Sequence, residues 1–284
     1  MGSEMCIRDS YAARLGRDVP PWSFAVEGVT SVSVDLHKYG YTPKGTSLLL
    51  HRTPELRRPQ FFASADWPGY TMLNSTMQST KSGGPLAGAW AVVESLGDDG
   101  YLTLSRRLFE AVDTIVAGID AMPALSLVAR PDSSLVTLQT DGSCDAFMVC
   151  DEMQERGWYV QPQMSYAGHA PSIHLSVSAG TLAHVPEFLT ALAESVAAAQ
   201  AAGPVSVDPG VAAYIESLDP AALTDADFDG LLAASGLVGE GTGGELALPS
   251  RMAEVNAMLD LASPAMREAL LVAFLDRLTR PRHA

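Results

Sequence analysis

The stretch TSVSVDLHKYGYTPKGTSLLLHR, residues 30–52, leaves this chain few ways to fold. Small and apolar residues alternate from Thr30 to Asp35 and again from Thr46 to Arg52. That period of two predicts two half-buried strands. The Gly- and Pro-containing segment between them must be a loop. It holds His37 and Lys38, tyrosines at 39 and 41, and a second lysine, Lys44. Only three of the 18 basic residues are lysines, and the third is Lys81. A lysine at a strand end is ordinarily a solvated cation. Here His37, Tyr39 and Tyr41 crowd Lys38, and Gly40 permits close backbone approach. Crowding of this kind favours a nucleophilic amine, whose characteristic chemistry is imine formation with an aldehyde.

Downstream, SGGPLAGAWAVVESLGDDG opens on glycines and spaces Leu86, Trp90, Val93 and Leu96 at helical intervals. The helix should stop at Gly97, and a second should run from about Tyr101 to Met122. Strands are expected in ALSLVA and SSLVTLQT, with a turn at Pro131-Asp132, and in WYVQP and SIHLSVS. CDAFMVCDEMQERG and HVPEFLTALAESVAAAQAAG read as helices. From Gly203 to Ser250 there is no Lys or Arg. Helical pieces are expected there at Pro209–Leu218 and Asp225–Ala234, before the Gly-rich GLVGEGTGGE and a closing helix over Pro264–Thr279. The leader MGSEMCIRDS has neither a signal-peptide core nor a helical period, and is set aside as a tag or artefact.

A net charge of −15 argues against nucleic acid or an anionic membrane as partner. It does not exclude small phosphorylated ligands, which a local Lys/His cluster can bind. The three cysteines form no metal-binding spacing, and a reducing cytoplasm is the simple reading. ALLVAFL, the longest apolar run near the end, is far too short to span a bilayer, which takes about 20 residues.

SVDLHKYGYTPKGTSLLL closely resembles the cofactor-lysine motif of sphingosine-1-phosphate lyases, members of the fold-type I, group II decarboxylase-like pyridoxal-phosphate enzymes. The resemblance continues through FFASADWPGYTMLNSTMQSTKSGGPLAGAW, GDDGY and GWYVQPQMSYAGHAPSIHLSVSAGT, and covers roughly residues 19–202. It implies an α/β fold, the C-terminal part of a large domain with a mostly parallel sheet, followed by an α+β small domain. The divisions expected are 1–10 tag or artefact, 11–122 large domain, 123–202 small domain and 203–284 an acidic helical extension. Lys38 would form the Schiff base with pyridoxal 5′-phosphate, and His37 would hydrogen-bond its phosphate. Lys44 would meet a substrate phosphate. The loop from Ser79 to Gly84 would reach a partner subunit's cofactor phosphate, with the amides of Gly83 and Gly84 near a helix start, a natural anion site. Lys81 stands where many relatives have Arg, and offers charge without a bidentate fork.

Related decarboxylases carry an Arg in the strand matching PSIHLSVS, where this chain has His174. An imidazole is a poor carboxylate partner beside an Arg fork. The resemblance therefore implies retro-aldol cleavage of a phosphorylated sphingoid base, or a similar amino-alcohol phosphate, into an aldehyde and phosphoethanolamine, in a cytoplasmic homodimer. The alternatives are an amino-acid decarboxylase and a non-catalytic remnant whose acidic residues 203–250 are a solvated, partly disordered appendage. The family places an acidic partner for the pyridine nitrogen, a stacking His and a first phosphate loop upstream of the Lys strand. Asp9 is not in that context, so the chain is expected to be N-terminally truncated, weakly active, and exposed along a sheet face near Val32 and Leu48.

Overall fold

The computed structural model describes residues 6–76, 80–234 and 250–280. The chain forms two compact units, one comprising Met1–Ala111 with Asp132–Ser134 and Ser178–Leu182, the other Val112–Pro131, Leu135–Val177 and Ala183–Ala284.

In the first unit the two strands around the lysine segment form as expected, as β1 (Ser31–Asp35) and β2 (Ser47–His51). They pair antiparallel in a register that sets Asp35 opposite Ser47 and Val32 opposite Leu50. Of the β1 residues only Val34 is buried. In β2, Leu48, Leu49 and Leu50 are 38%, 52% and 45% exposed, so both faces of the strand meet water. This is the exposed sheet face expected near Leu48. A short helix α2 (Pro54–Arg57), capped by Thr53, leads to a second hairpin, β3 (Phe62–Ser64) with β4 (Met72–Asn74), which no strong period in the sequence announces. Every strand pairing among the described residues is antiparallel. The mostly parallel sheet implied for a whole large domain thus has no pair within them.

The leader departs from expectation. Cys6–Arg14 is a helix, α1, despite its lack of an apolar period. Two of its polar residues are buried, Arg8 and Asp9, because they satisfy each other (2.8 Å) and because Arg8 donates to Ser134 Oγ at 2.8 Å. Burial was therefore achieved by pairing charges, a signal that hydrophobic periodicity does not carry.

The long helix α3 (Gly83–Asp120) breaks at Gly97, whose φ of 53° and ψ of −172° are non-helical. This is the stop expected there, and the chain resumes as a helix at once. Leu108, Val112, Ile115 and Ile119 recur at helical spacing and are buried.

The second unit carries a four-stranded antiparallel sheet in the order β5 (Leu125–Leu127), β6 (Leu135–Thr140), β8 (Ser172–Ser176), β7 (Gln161–Gln163). Helices α4 (Ala146–Glu155) and α5 (Val185–Ala202) accompany it, and Val136, Leu138, Ile173, Val149, Met153 and Leu192 are fully or almost fully buried. Asp145 caps α4 by accepting from the amides of Phe147 and Met148. Trp158 closes edge-on against Phe188, with ring centroids 5.4 Å apart.

Among the described residues four helices follow: α6 (Pro209–Ser217), α7 (Asp225–Ala234), α8 (Ala253–Leu261) and α9 (Pro264–Thr279). Ile215, Phe228, Leu231, Leu232, Ala262, Met266 and Leu270 form one buried apolar cluster among them. This corrects the appendage reading for residues 209–234. Their acidic side chains cap helices or pair with arginines, Asp208 on the amides of Gly210 and Val211 and Asp225 on Arg280, while the apolar ones build a core. GLVGEGTGGE lies outside the described residues.

Candidate functional site

The Lys38 turn is built by backbone bonds within the segment that links β1 to β2. Lys38 N donates to Asp35 O (3.2 Å), Tyr41 N to Lys38 O (3.0 Å) and Thr42 N to Leu36 O (3.2 Å). Gly40 is buried, and a Cβ on it would sit 2.4 Å from Leu36 O. Its own carbonyl accepts from the Tyr101 hydroxyl at 2.9 Å, which ties the turn to α3. Tyr41 holds a φ of 56°, an uncommon conformation for a bulky residue. Burial pushes its phenol above the usual value, a backbone hydrogen bond from Ala179 working the other way.

Lys38 Nζ lies 3.2 Å from Asp35 Oδ2, both side chains being partly exposed. The other oxygen, Asp35 Oδ1, accepts from Ser47 Oγ at 2.5 Å. The carboxylate is thus clamped between its cross-strand partner and the amine. His37 is half-buried, and its Nδ1 is shielded from water with no hydrogen-bond partner among the described residues. A buried polar atom without a partner is costly, and an anion arriving there would supply one. Tyr39 reaches Ser134, which is wholly buried and also receives Arg8. Burial raises the Asp9 carboxyl above its usual range, the Arg8 guanidinium opposing.

Lys44 is exposed, between Pro43 and Gly45. Gly45, at φ +111°, approaches Pro85 so closely that a Cβ would stand 3.1 Å from its ring, and Pro43 lies beside Gly88. The Lys44 loop is thereby laid against the first turns of α3, which begins at Gly83 and Gly84. At Gly83 a Cβ would meet nothing within 4 Å, so the space beside this helix start is open. The sequence-selected His37, Lys38 and Lys44 therefore belong to one segment, and Gly83 and Gly84 to one helix start. Lys81 stands with Ser47, Leu49, Gln60, Phe62 and Asn74 around a groove of about 670 Å³. Ser79, the start of the expected phosphate loop, lies outside the described residues. His174 belongs to the second unit, on β8, where Thr137 Oγ1 and Ser176 Oγ are each 3.4 Å from a ring nitrogen.

Sequence reasoning missed Asp35, Ser47, Tyr101 and Ser134 as partners of this segment. Asp35 and Ser47 were within reach, since a hairpin register pairing the two strands places them opposite each other. Tyr101 and Ser134 are 61 and 95 residues away from the groups they hold, with no local signal.

Curated sphingosine-1-phosphate lyases from Oryza sativa subsp. japonica and Arabidopsis thaliana are each 38% identical to this chain, over 197 and 200 residues. The Lys38 segment lies in a chain matched over 69% of its length in both cases. Over that stretch the chain is similar to sphingosine-1-phosphate lyases. A solved Burkholderia pseudomallei sphingosine-1-phosphate lyase superposes on this chain with a TM-score of 0.64 at 32% identity, covering 69% of this chain and 44% of that one. A glutamate decarboxylase from Lactobacillus brevis matches with a TM-score of 0.61 at 15% identity, over 72% of this chain and 47% of that one, which speaks to the fold alone. The fold is the α/β arrangement of fold-type I enzymes. Residues 209–277 match the model described as the C-terminal putative HTH domain of pyridoxal-dependent enzymes. The chain spans about a third of the length of the curated relatives, 36% and 35% of the two plant proteins. No helix among the described residues is long and apolar enough to cross a membrane.

Proposed function

We propose that this chain carries the lysine-bearing part of a pyridoxal-phosphate-dependent carbon–carbon lyase acting on a phosphorylated sphingoid base or a similar amino-alcohol phosphate. The observation that carries the reading is the Lys38 turn, an amine held 3.2 Å from Asp35 beside a shielded, unpartnered His37 Nδ1. Those two groups fit the cofactor at two points, its aldehyde and its phosphate. Pyridoxal phosphate, when bound, supplies an aldehyde carbon and an electron-accepting ring.

The rest falls to the chain's own residues. Asp35 Oδ2 holds Lys38 Nζ in place at 3.2 Å, and the Ser47 hydroxyl on Oδ1 keeps that carboxylate aimed. His37 Nδ1 would hold the cofactor phosphate, by a charge-assisted bond. Lys44 and the amides of Gly83 and Gly84 present positive charge for phosphate oxygens. In the net reaction the C2–C3 bond of the substrate breaks. The 3-hydroxyl gives up its proton as C3 becomes the aldehyde, and C2 gains one to leave phosphoethanolamine. In the same reading residues 11–122 are part of a cofactor-binding large domain, 123–202 a small domain and 203–284 a helical extension. The working form is a cytoplasmic homodimer without a nucleic-acid partner. Net charge −15 and exposed apolar side chains in the first unit, such as Leu49, Phe62 and Trp90, support that view. A decarboxylase has less behind it, its relative from Thermococcus gammatolerans being 25% identical over 186 residues.

Borohydride treatment with pyridoxal phosphate tests the assignment without requiring turnover. The cofactor should become fixed to the peptide containing Lys38, read by mass spectrometry, and Lys38→Ala should remove the label. A label on Lys44 or Lys81 instead overturns it. Separately, Lys44→Ala should raise KM for a phosphorylated amino alcohol roughly ten- to hundredfold, from the roughly 1.5–3 kcal/mol of a charge-assisted contact, with cofactor affinity little changed. An unchanged KM would remove Lys44 from the substrate site.

A further inference from the structure

Helix α9 is apolar on two sides. Met266 and Leu270 belong to the buried cluster among α6 to α9, and Ala273 and Phe274 pack against it. On the other side Leu271, Leu275 and Leu278 follow one another at steps of four and three, the spacing of a helix-pairing seam. They are 59%, 59% and 60% exposed, and Val272 beside them is 69% exposed. A surface helix ordinarily turns one apolar stripe to its core and a polar face to water. The seam is a second stripe, without a partner among the described residues. Its four side chains make an apolar patch on the order of 400 Å², within the range that marks interaction sites. Leu271 also lines a half-open apolar groove of about 250 Å³ with Met252, Val255 and Met258, so the apolar surface runs on beyond the seam.

Nucleic acid does not fit this face. Residues 209–277, the segment that matches the putative HTH model, contain eleven acidic side chains against three arginines and no lysine. Such a balance repels backbone phosphates. A second copy of the chain fits by area. Two seams face to face bury roughly 800 Å² of apolar surface. Pro264, Glu268 and Thr279, exposed at the borders, carry the contact toward the roughly 1,200 Å² at which specific dimers begin. Glu268 also selects the orientation, because it continues the seam toward the start of α9. Parallel copies would set the two carboxylates at one level, where like charges repel. Antiparallel copies keep them at opposite ends.

We propose that two copies of this chain associate through α9, antiparallel about a two-fold axis that passes between Leu271 and Leu275. The contact is self-complementary, with Leu271 of one copy against Leu275 of the other. It is distinct from a pairing through the exposed apolar residues of the first unit. It does not rest on the lyase reading, because none of its residues belongs to the Lys38 segment.

Sedimentation equilibrium on the full chain decides it. The mass should double over a micromolar range of concentration. Leu275→Glu should weaken that step roughly tenfold or more, since each contact would then bury two unpaired carboxylates. Leu271→Glu should act alike, whereas Leu275→Met should stay within about threefold of the parent. Leu49→Glu, in the first unit, should leave the step in place. Both leucines are exposed, so these variants should keep the parent's circular-dichroism melt; if one does not, Val272→Glu takes its place. Orientation is read by cross-linking in a Cys6→Ser background, Cys144 and Cys150 being buried. A short bis-maleimide should join Leu271→Cys chains to Leu275→Cys chains more readily than either to itself, and preferred self-linking overturns the antiparallel order. A chain that stays monomeric at every concentration, or association indifferent to both glutamates, overturns the proposal. So does binding of a short DNA duplex that Leu275→Glu abolishes, which would give the face to nucleic acid.

Discussion

In urea denaturation the Gly40→Ala chain is expected to unfold well before the parent, with a loss of about 2–3 kcal/mol. The added Cβ would lie 2.4 Å from Leu36 O and 3.1 Å from Ile7 Cδ1. The first of these is backbone and has no rotamer by which to retreat. Relief requires the Leu36–Gly40 segment to open, and that breaks the Thr42 N–H to Leu36 bond and shifts the carbonyl that accepts from Tyr101. Against a total stability of roughly 5–15 kcal/mol, such a loss is large. Because Lys38 and His37 lie inside the disturbed segment, borohydride labelling at Lys38 should fall as well. Gly83→Ala is the control: its Cβ would meet nothing within 4 Å, and a helix start tolerates alanine. If the two variants melt alike, the close packing under the lysine turn is not what orders it.

A comparable loss, about 3 kcal/mol, is expected for Asp151→Ala. Asp151 is 3% exposed on α4, and its two oxygens accept from the amides of Met252 (2.8 Å) and Ala253 (2.9 Å) at the first turn of α8. Met252 offers no side-chain cap of its own, so a carboxylate from another helix does that work. Its removal strands two amide donors at a place where water has little access, at about 1–3 kcal/mol for each unsatisfied group. Asp151→Asn keeps one acceptor and should fall between. Arg251→Gln removes ion pairs whose arginine is 39% exposed, and should cost under about 1 kcal/mol. Thermal melts of the three variants would show the order; an Asp151→Ala melt no lower than that of Arg251→Gln would refute the cap.

The same contrast explains what could be read in advance. Where structure follows from local periodicity or a local stop, the sequence carried it: the strands flanking Lys38, the break at Gly97, and the helices at 146–155, 185–202, 209–217 and 264–279. The helix α8 escaped notice because its first turn is completed by Asp151, 101 residues upstream in the Met252 bond. The Phe62–Ser64 hairpin is three residues per strand, too short for a period of two to show. Around the candidate site, Lys38, His37 and Lys44 stood out through chemistry and company. Ser134 and Tyr101 did not, because a serine or tyrosine reveals its partner only once the chain has folded. The buried Arg8–Asp9 pair runs against the habit of reading charges as solvent-facing, and only mutual satisfaction makes it admissible.

The exposure of both faces of β2 bears on how tightly the lysine segment is held over time. A strand whose leucines meet water on either side gains little from the core, so its ladder with β1 belongs to the least protected tier of backbone amides, opening locally well short of global unfolding. Lys38 hangs from that ladder. A ligand that engages only the closed hairpin then draws on its binding energy to suppress the opening, by RT ln(1 + [L]/Kd). Occupancy of the site and amide protection of residues 31–51 become two readings of one equilibrium.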